Sequence, residues 1–139
     1  MSIFESEFEM KIPFHDLDPM DVVWHGNYIK YMEQARCDMF EKLQYTYYDM
    51  ETDGYAYPIA KMKTKFIKPL HFNQKIVIKT TLEEFEPAII VKYKIFDKAT
   101  GDLVFEAETM QIGVEISTKE SIYNAPERLL KKMETDNEN

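Results

Sequence analysis

A chain of 139 residues, 45% hydrophobic and 14% aromatic, has enough apolar mass for one globular core and too little length for two. Its formal charge of −8 at pH 7 argues against duplex nucleic acid as a partner, since phosphate contacts need clustered Lys and Arg that outnumber local acids. The only cysteine, Cys37, leaves no disulfide framework and no multi-cysteine metal site, and it fits a reducing compartment, with the cytoplasm as the default.

The first residues carry acids where a secretory signal needs a basic start, and the apolar runs are only a few residues long, so nothing is expected to enter or cross a membrane. Residues 3 to 14 alternate loosely and read as a first strand, ended by the polar, proline-containing run from His15 to Pro19. From Tyr28 onward, Tyr28, Ile29, Met32, Ala35, Met39, Phe40 and Leu43 recur at helical spacing, which predicts a long amphipathic helix with Asn27 as its N-cap. A tyrosine-rich connection from Gln44 to Tyr57 follows, broken at Asp53-Gly54. Alternation then predicts strands near 58–68, 74–85, 88–97 and 102–116, joined by compact turns suited to antiparallel neighbours. Residues 125–133 read as a short helical turn before a polar tail expected to be disordered. The order predicts an α+β chain, one long helix packed on an antiparallel sheet, in a single domain over residues 1–139.

Glycines and serines narrow the chemistry. The four glycines allow neither a dinucleotide fingerprint nor a phosphate loop, and the four serines sit in no nucleophile-elbow context. Three scattered histidines do not make a metal site. The segment from Asp16 to Tyr28 is different: it sets Asp16, Asp18, Asp21, His25 and Gly26 directly ahead of the helix. Unpaired N–H groups and a partial positive charge at a helix start can hold a polarised carbonyl while a carboxylate just upstream acts on it.

Within that segment, Asp18-Pro19-x-x-Val22-Val23-x-His25-x-Asn27-Tyr28, followed by Tyr31, Glu33 and Ala35-Arg36, closely resembles the signature of the 4-hydroxybenzoyl-CoA thioesterase and YbgC-like acyl-CoA thioesterase family. The downstream strand order, with Phe66-Ile67-Lys68-Pro69-Leu70, extends the resemblance over nearly the whole chain. The resemblance implies a hotdog fold, a curved antiparallel sheet wrapped around one long central helix, with an active site shared between the subunits of a homodimer or homotetramer. It also implies hydrolysis of an acyl-CoA to a free carboxylic acid and coenzyme A, with no metal and no bound cofactor. Hydrolysis of acyl groups from acyl carrier protein is the near rival. A non-catalytic acyl-binding module is the rival from another class.

Residue by residue, the resemblance assigns catalysis to Asp18, as nucleophile or general base; a turn acid accepting backbone N–H bonds is its bland alternative. His25 is expected to polarise the carbonyl, and the N–H groups of His25, Gly26 and Asn27 to form the oxyanion site. Asp16 and Asp21 read as turn residues, and Glu33 is a reserve catalytic carboxylate that more simply pairs with Arg36. Tyr28 reads as a core aromatic with a minor substrate role, and Cys37 has no histidine at a useful spacing. Lys61, Lys63 and Lys65 alternate along one strand and read equally as a lane for coenzyme A phosphates or as protection of a sheet edge.

Overall fold

The computed structural model describes residues 4–138, with side chains to residue 134. Ile3, where the sequence places the start of the first strand, lies outside the described residues. Five strands form one antiparallel sheet in the order β1-β4-β5-β6-β3: β1 (Phe4–Lys11), β3 (Ile59–Phe66), β4 (Lys75–Glu84), β5 (Ile89–Asp97) and β6 (Leu103–Gln111). A smaller sheet joins β2 (Tyr55–Ala56), β7 (Gly113–Glu115) and β8 (Ser121–Ile122). Among the described residues there are three α-helices, α1 (His25–Leu43), α2 (Tyr47–Thr52) and α3 (Glu127–Glu138), where the sequence suggests one helix and a short turn. Among the described residues no helix is long and apolar enough to cross a membrane.

Period-two alternation fixes the register, because a one-residue slip would move every apolar side chain to the other face. One face of the sheet carries rows of core residues: Phe8, Ile78, Ile95, Phe105 and Phe66 lie opposite one another across the five strands, and so do Phe4, Leu82, Val91, Thr109 and Met62. The other face carries charge, with Glu7, Lys79, Lys94, Glu106 and Lys65 in one row and Glu5, Thr81, Lys92, Glu108 and Lys63 in the next. Glutamates therefore line the β1 edge of this outer face and lysines the β3 edge.

Helix α1 packs on β1 and β4 and buries Tyr28, Tyr31, Met32, Ala35, Arg36, Met39, Phe40 and Leu43. Its first residue is His25, two positions before the predicted cap, and its C-cap, Gln44, turns left-handed at φ 66°. Arg36 does not pair with Glu33. It turns inward, donating from Nε to the Tyr47 hydroxyl at 2.6 Å and from Nη1 to the Tyr93 hydroxyl at 3.0 Å, while Glu33 is exposed. Helix α2 interrupts the predicted tyrosine-rich connection. Thr46 and Asp49 satisfy its first turn reciprocally as a capping box. The predicted 102–116 strand is two strands, β6 and β7, that belong to different sheets.

Candidate active site

The segment between β1 and α1 folds into a closed turn. A short 3-10 helix, η1 (Phe14–Asp16), precedes it. Leu17 then forms an antiparallel bridge with Val23, and Asp18 N donates to Val22 O at 2.8 Å. At the tip, Asp21 N donates to Asp18 O at 3.0 Å, and Asp21 takes φ 63°, a left-handed conformation that Asp tolerates in turns. Val23 N donates to Leu70 O at 2.8 Å and so pins the turn to the chain that follows β3. Asp18 is half-buried, and its Oδ1 accepts from Met20 N at 2.8 Å. Among the described residues no hydrogen bond occupies Oδ2.

Two residues beyond Val23 the helix begins. Asn27 N already donates to Trp24 O at 2.9 Å, so the N–H groups left without an intrahelical acceptor belong to His25 and Gly26. No side chain caps this end, and the first turn holds no acid, which leaves the helix's positive end open to an anion. Asn27 does not serve as the cap predicted from sequence. Its side-chain amide donates instead to Asp16 O at 2.9 Å. The indole of Trp24 lies on the first turn, so that a Cβ at Gly26 would lie 2.2 Å from Trp24 Cζ3 and would have to displace the ring.

A cleft of about 270 Å³ opens at this helix start, lined by Val23, His25, Tyr28, Phe66, Ile67, Lys68 and Pro69. The walls are aromatic. Tyr28 and Phe105 each meet Phe66 at about 5 Å between centroids (4.9 and 5.1 Å), and the His25 ring stands perpendicular to Phe66 at 6.5 Å. Tyr28 is buried with its hydroxyl accepting from Leu70 N at 3.2 Å, and burial pushes its pKa up, so it is a structural acceptor rather than an acid. The contribution of residues 66–69 to the cleft goes beyond the family resemblance that Phe66–Leu70 carries in the sequence. Its signal was the apolar pair Phe66-Ile67 at a strand end, ahead of Pro69, where exposure of both side chains is unusual for a core strand.

Asp16 departs most from expectation. It is not a surface turn residue but is 3% exposed, with Lys30 Nζ donating to Oδ1 at 2.8 Å and the Tyr31 hydroxyl donating to Oδ2 at 2.6 Å. Burial alone would raise its pKa, yet the Lys30 and Tyr31 hydrogen bonds and the Lys30 charge outweigh that and hold it below the ordinary carboxylate value. Burial and the neighbouring carboxylate push the Tyr31 hydroxyl well up, which keeps it a donor.

The other predicted residues lie elsewhere. Glu33 is on the exposed side of α1 with Cys37 and Glu41, and burial raises the Cys37 thiol, against a reactive thiolate. Lys61, Lys63 and Lys65 project from the outer face of the sheet, where Glu108 and Glu106 stand between the last two and Lys92 and Lys94, opposite the face that carries Phe66 and packs on α1. The structure thus brings His25 and Tyr28 to one cleft together with Val23, which closes the Asp18 turn, while Gly26 and Asp18 themselves do not line it. It does not bring Glu33 or the three lysines there. Among the described residues no group of three His, Cys, Asp or Glu side chains could hold a metal ion.

The chain is 30% identical over 111 residues to the putative acyl-CoA thioesterase YneP of Bacillus subtilis, covering 79% of this chain and 80% of that protein. It is 29% identical over 84 residues to the acyl-CoA thioesterase YbgC of Helicobacter pylori, covering 60% and 61%. Among solved structures, a DHNA-CoA thioesterase from Staphylococcus aureus superposes with a TM-score of 0.83 at 28% identity, over 96% of this chain and 93% of the other. The profile of the thioesterase-like superfamily matches residues 12–133, and the chain belongs to that family.

Proposed function

We propose that this protein is an acyl-CoA thioesterase of hotdog type, a single domain that hydrolyses an acyl-CoA to a free carboxylic acid and coenzyme A. The observation that supports the reading is the closed Leu17–Val23 turn, which holds Asp18 in the chain segment that runs into an uncapped helix start. Asp18 acts either as nucleophile, forming a mixed anhydride that water then cleaves, or as general base, taking a proton from the attacking water. In both routes the carbonyl oxygen becomes an oxyanion that the His25 and Gly26 N–H groups hold, with the His25 ring beside it. The carbon–sulfur bond breaks and the thiolate leaves. A thiol of pKa about 8.5 needs little help from a general acid, so one carboxylate and a charge-stabilising helix start suffice, with no metal or bound cofactor in the scheme.

The buried stripe of α1 supports reading the sheet as wrapping that helix. We further propose a homo-oligomer, dimer or tetramer, formed through β3. That strand ends the sheet, its residues are almost all exposed, and its last residue Phe66 and the following Ile67 are 50% and 41% exposed. An unpaired edge of this kind favours a second strand. The lone cysteine supports a cytoplasmic place for it, and the lysines of β3 support a site for coenzyme A phosphates on the outer face.

A thiol-release screen over short, long, branched and aryl acyl-CoAs, run beside the matching acyl carrier protein thioesters, tests activity and carrier together. With the best substrate, Asp18→Asn should lower kcat by about a hundredfold or more while the chain stays folded and binds substrate. If Asp18→Asn retains wild-type kcat while Glu33→Gln is inactive, the reacting carboxylate lies on the helix and the assignment is wrong.

A further inference from the structure

Asp16 makes four contacts with Trp24 and the first turns of α1 and a fifth with its neighbour His15, and nothing in the scheme above uses them. Its main-chain oxygen accepts from Trp24 N at 3.1 Å and from Asn27 Nδ2 at 2.9 Å. Its carboxylate accepts from Lys30 Nζ at 2.8 Å and the Tyr31 hydroxyl at 2.6 Å, and the His15 ring lies at 3.6 Å from Oδ1. Residues 24, 27, 30 and 31 recur at three- and four-residue spacing and therefore share one side of the helix. Asp16 is thus grasped along about two turns of α1. On its other side, the next residue, Leu17, closes the turn that holds Asp18.

We propose that Asp16 is a positioning residue: through these bonds it fixes the Asp18 turn in a set place against the N-terminus of α1, so that carboxylate and oxyanion site approach the thioester together. The geometry distinguishes this from plain core packing. A buried aliphatic side chain at position 16 would fill the same space, but it would leave Lys30 and Tyr31 without an acceptor and only the main-chain bonds from Trp24 and Asn27 to hold the turn against the helix. The Lys30 ammonium has a second consequence, because it neutralises a carboxylate that would otherwise present uncompensated negative charge near the point where the oxyanion develops. Displacements of about an ångström between reacting groups can lower rates about a hundredfold, so loss of this tether should be felt in turnover before it is felt in binding.

The inference rests on Asp18 and the helix start being the reacting elements. Its test measures kcat and KM of the full-length protein with the fastest acyl-CoA of the screen, together with the melting temperature, for Asp16→Asn, Tyr31→Phe, Lys30→Met and the control Asp18→Asn. Asp16→Asn can accept from Lys30 or from Tyr31 but can no longer answer both with charge. Its kcat should fall about ten- to a hundredfold with KM within about twofold. Tyr31→Phe and Lys30→Met, which each remove one bond and leave the buried carboxylate in place, should each lower kcat by a smaller factor with KM again unchanged. A lower melting temperature with kcat kept within twofold in all three variants overturns the proposal and leaves Asp16 a purely structural residue. Should Asp16→Asn fail to fold, the two single-bond variants decide on the same criterion. If Asp18→Asn is inactive and the three tether variants are not impaired, only the positioning role fails. If Asp18→Asn turns over at the wild-type rate, the reading beneath it fails as well.

Discussion

The side-chain amide of Asn27 donates to the main-chain oxygen of Asp16 at 2.9 Å, so the first turn of α1 is tied to the chain eleven residues upstream rather than to its own free N–H groups. A cap residue accepts hydrogen bonds, whereas this asparagine gives one.

That difference has a sign that can be measured. Asn27→Ala should lower stability by about 0.5–1.5 kcal/mol, the net worth of one hydrogen bond, and reduce kcat. Asn27→Asp would be tolerated or favourable if residue 27 capped the helix, because a carboxylate suits a helix start. Here it would face the Asp16 carbonyl with no proton to donate, so it should be the more damaging change. Urea midpoints and kcat for the two variants decide the order.

Acid stability should depend on Asp16. Its folded-state pKa lies below the ordinary value of about 4, so the unfolded chain takes up a proton first on acidification. The stabilisation is therefore fully present above that value and is lost as pH falls through the lower, folded-state pKa. Denaturation curves at pH 7, 4 and 3 should show wild type losing more stability than Asp16→Asn, whose amide does not titrate. Equal losses would place the acid sensitivity elsewhere, Asp49 and Asp97 being the other carboxylates held low, each first by backbone N–H bonds.

Tyr28→Phe separates structure from chemistry at the cleft. The lost hydroxyl is the acceptor for the buried Leu70 N–H, and leaving that donor unmet should destabilise by about 1–3 kcal/mol. The ring that meets Phe66 and Phe105 is kept, so kcat should stay within about threefold of wild type. A large loss of kcat with unchanged melting would make Tyr28 a participant in the reaction.

Changing Lys61, Lys63 and Lys65 together to Ala should raise KM for acyl-CoA, weaken its dependence on salt and leave kcat nearly unchanged. These side chains occupy the outer face, away from the cleft, so a truncated pantetheine thioester without the nucleotide phosphates should not respond. If KM for both substrates responds alike, the lysines serve the sheet edge alone.

What could be read from sequence followed from local rules. The five long strands and α1 declared themselves by period two and by three- and four-residue spacing, and the Asp18-to-Tyr28 pattern carried a family resemblance that the superfamily match over residues 12–133 bears out. The rest depends on contacts distant in sequence. Asp16 looked like one more turn acid, because its partners Lys30 and Tyr31 lie fourteen and fifteen residues away and meet it only once the helix packs. Arg36 was matched to Glu33 by spacing alone, but the phenols of Tyr47 and Tyr93 draw it into the interior. Strands β2, β7 and β8 are too short to show periodicity. Helix α2 did carry a local mark in Thr46 and Asp49, hidden among tyrosines that read as a loop.

Trp24 is the only tryptophan of the chain, half exposed, lying on Gly26 and 5.1 Å from the His25 ring. The intrinsic tryptophan emission of the whole molecule therefore originates at one spot, the first turn of α1. Ligand entering the cleft and fraying of the helix start both become optical signals without an added label. Unfolding of the sheet, followed by far-ultraviolet dichroism, can then be timed against the loosening of this one turn.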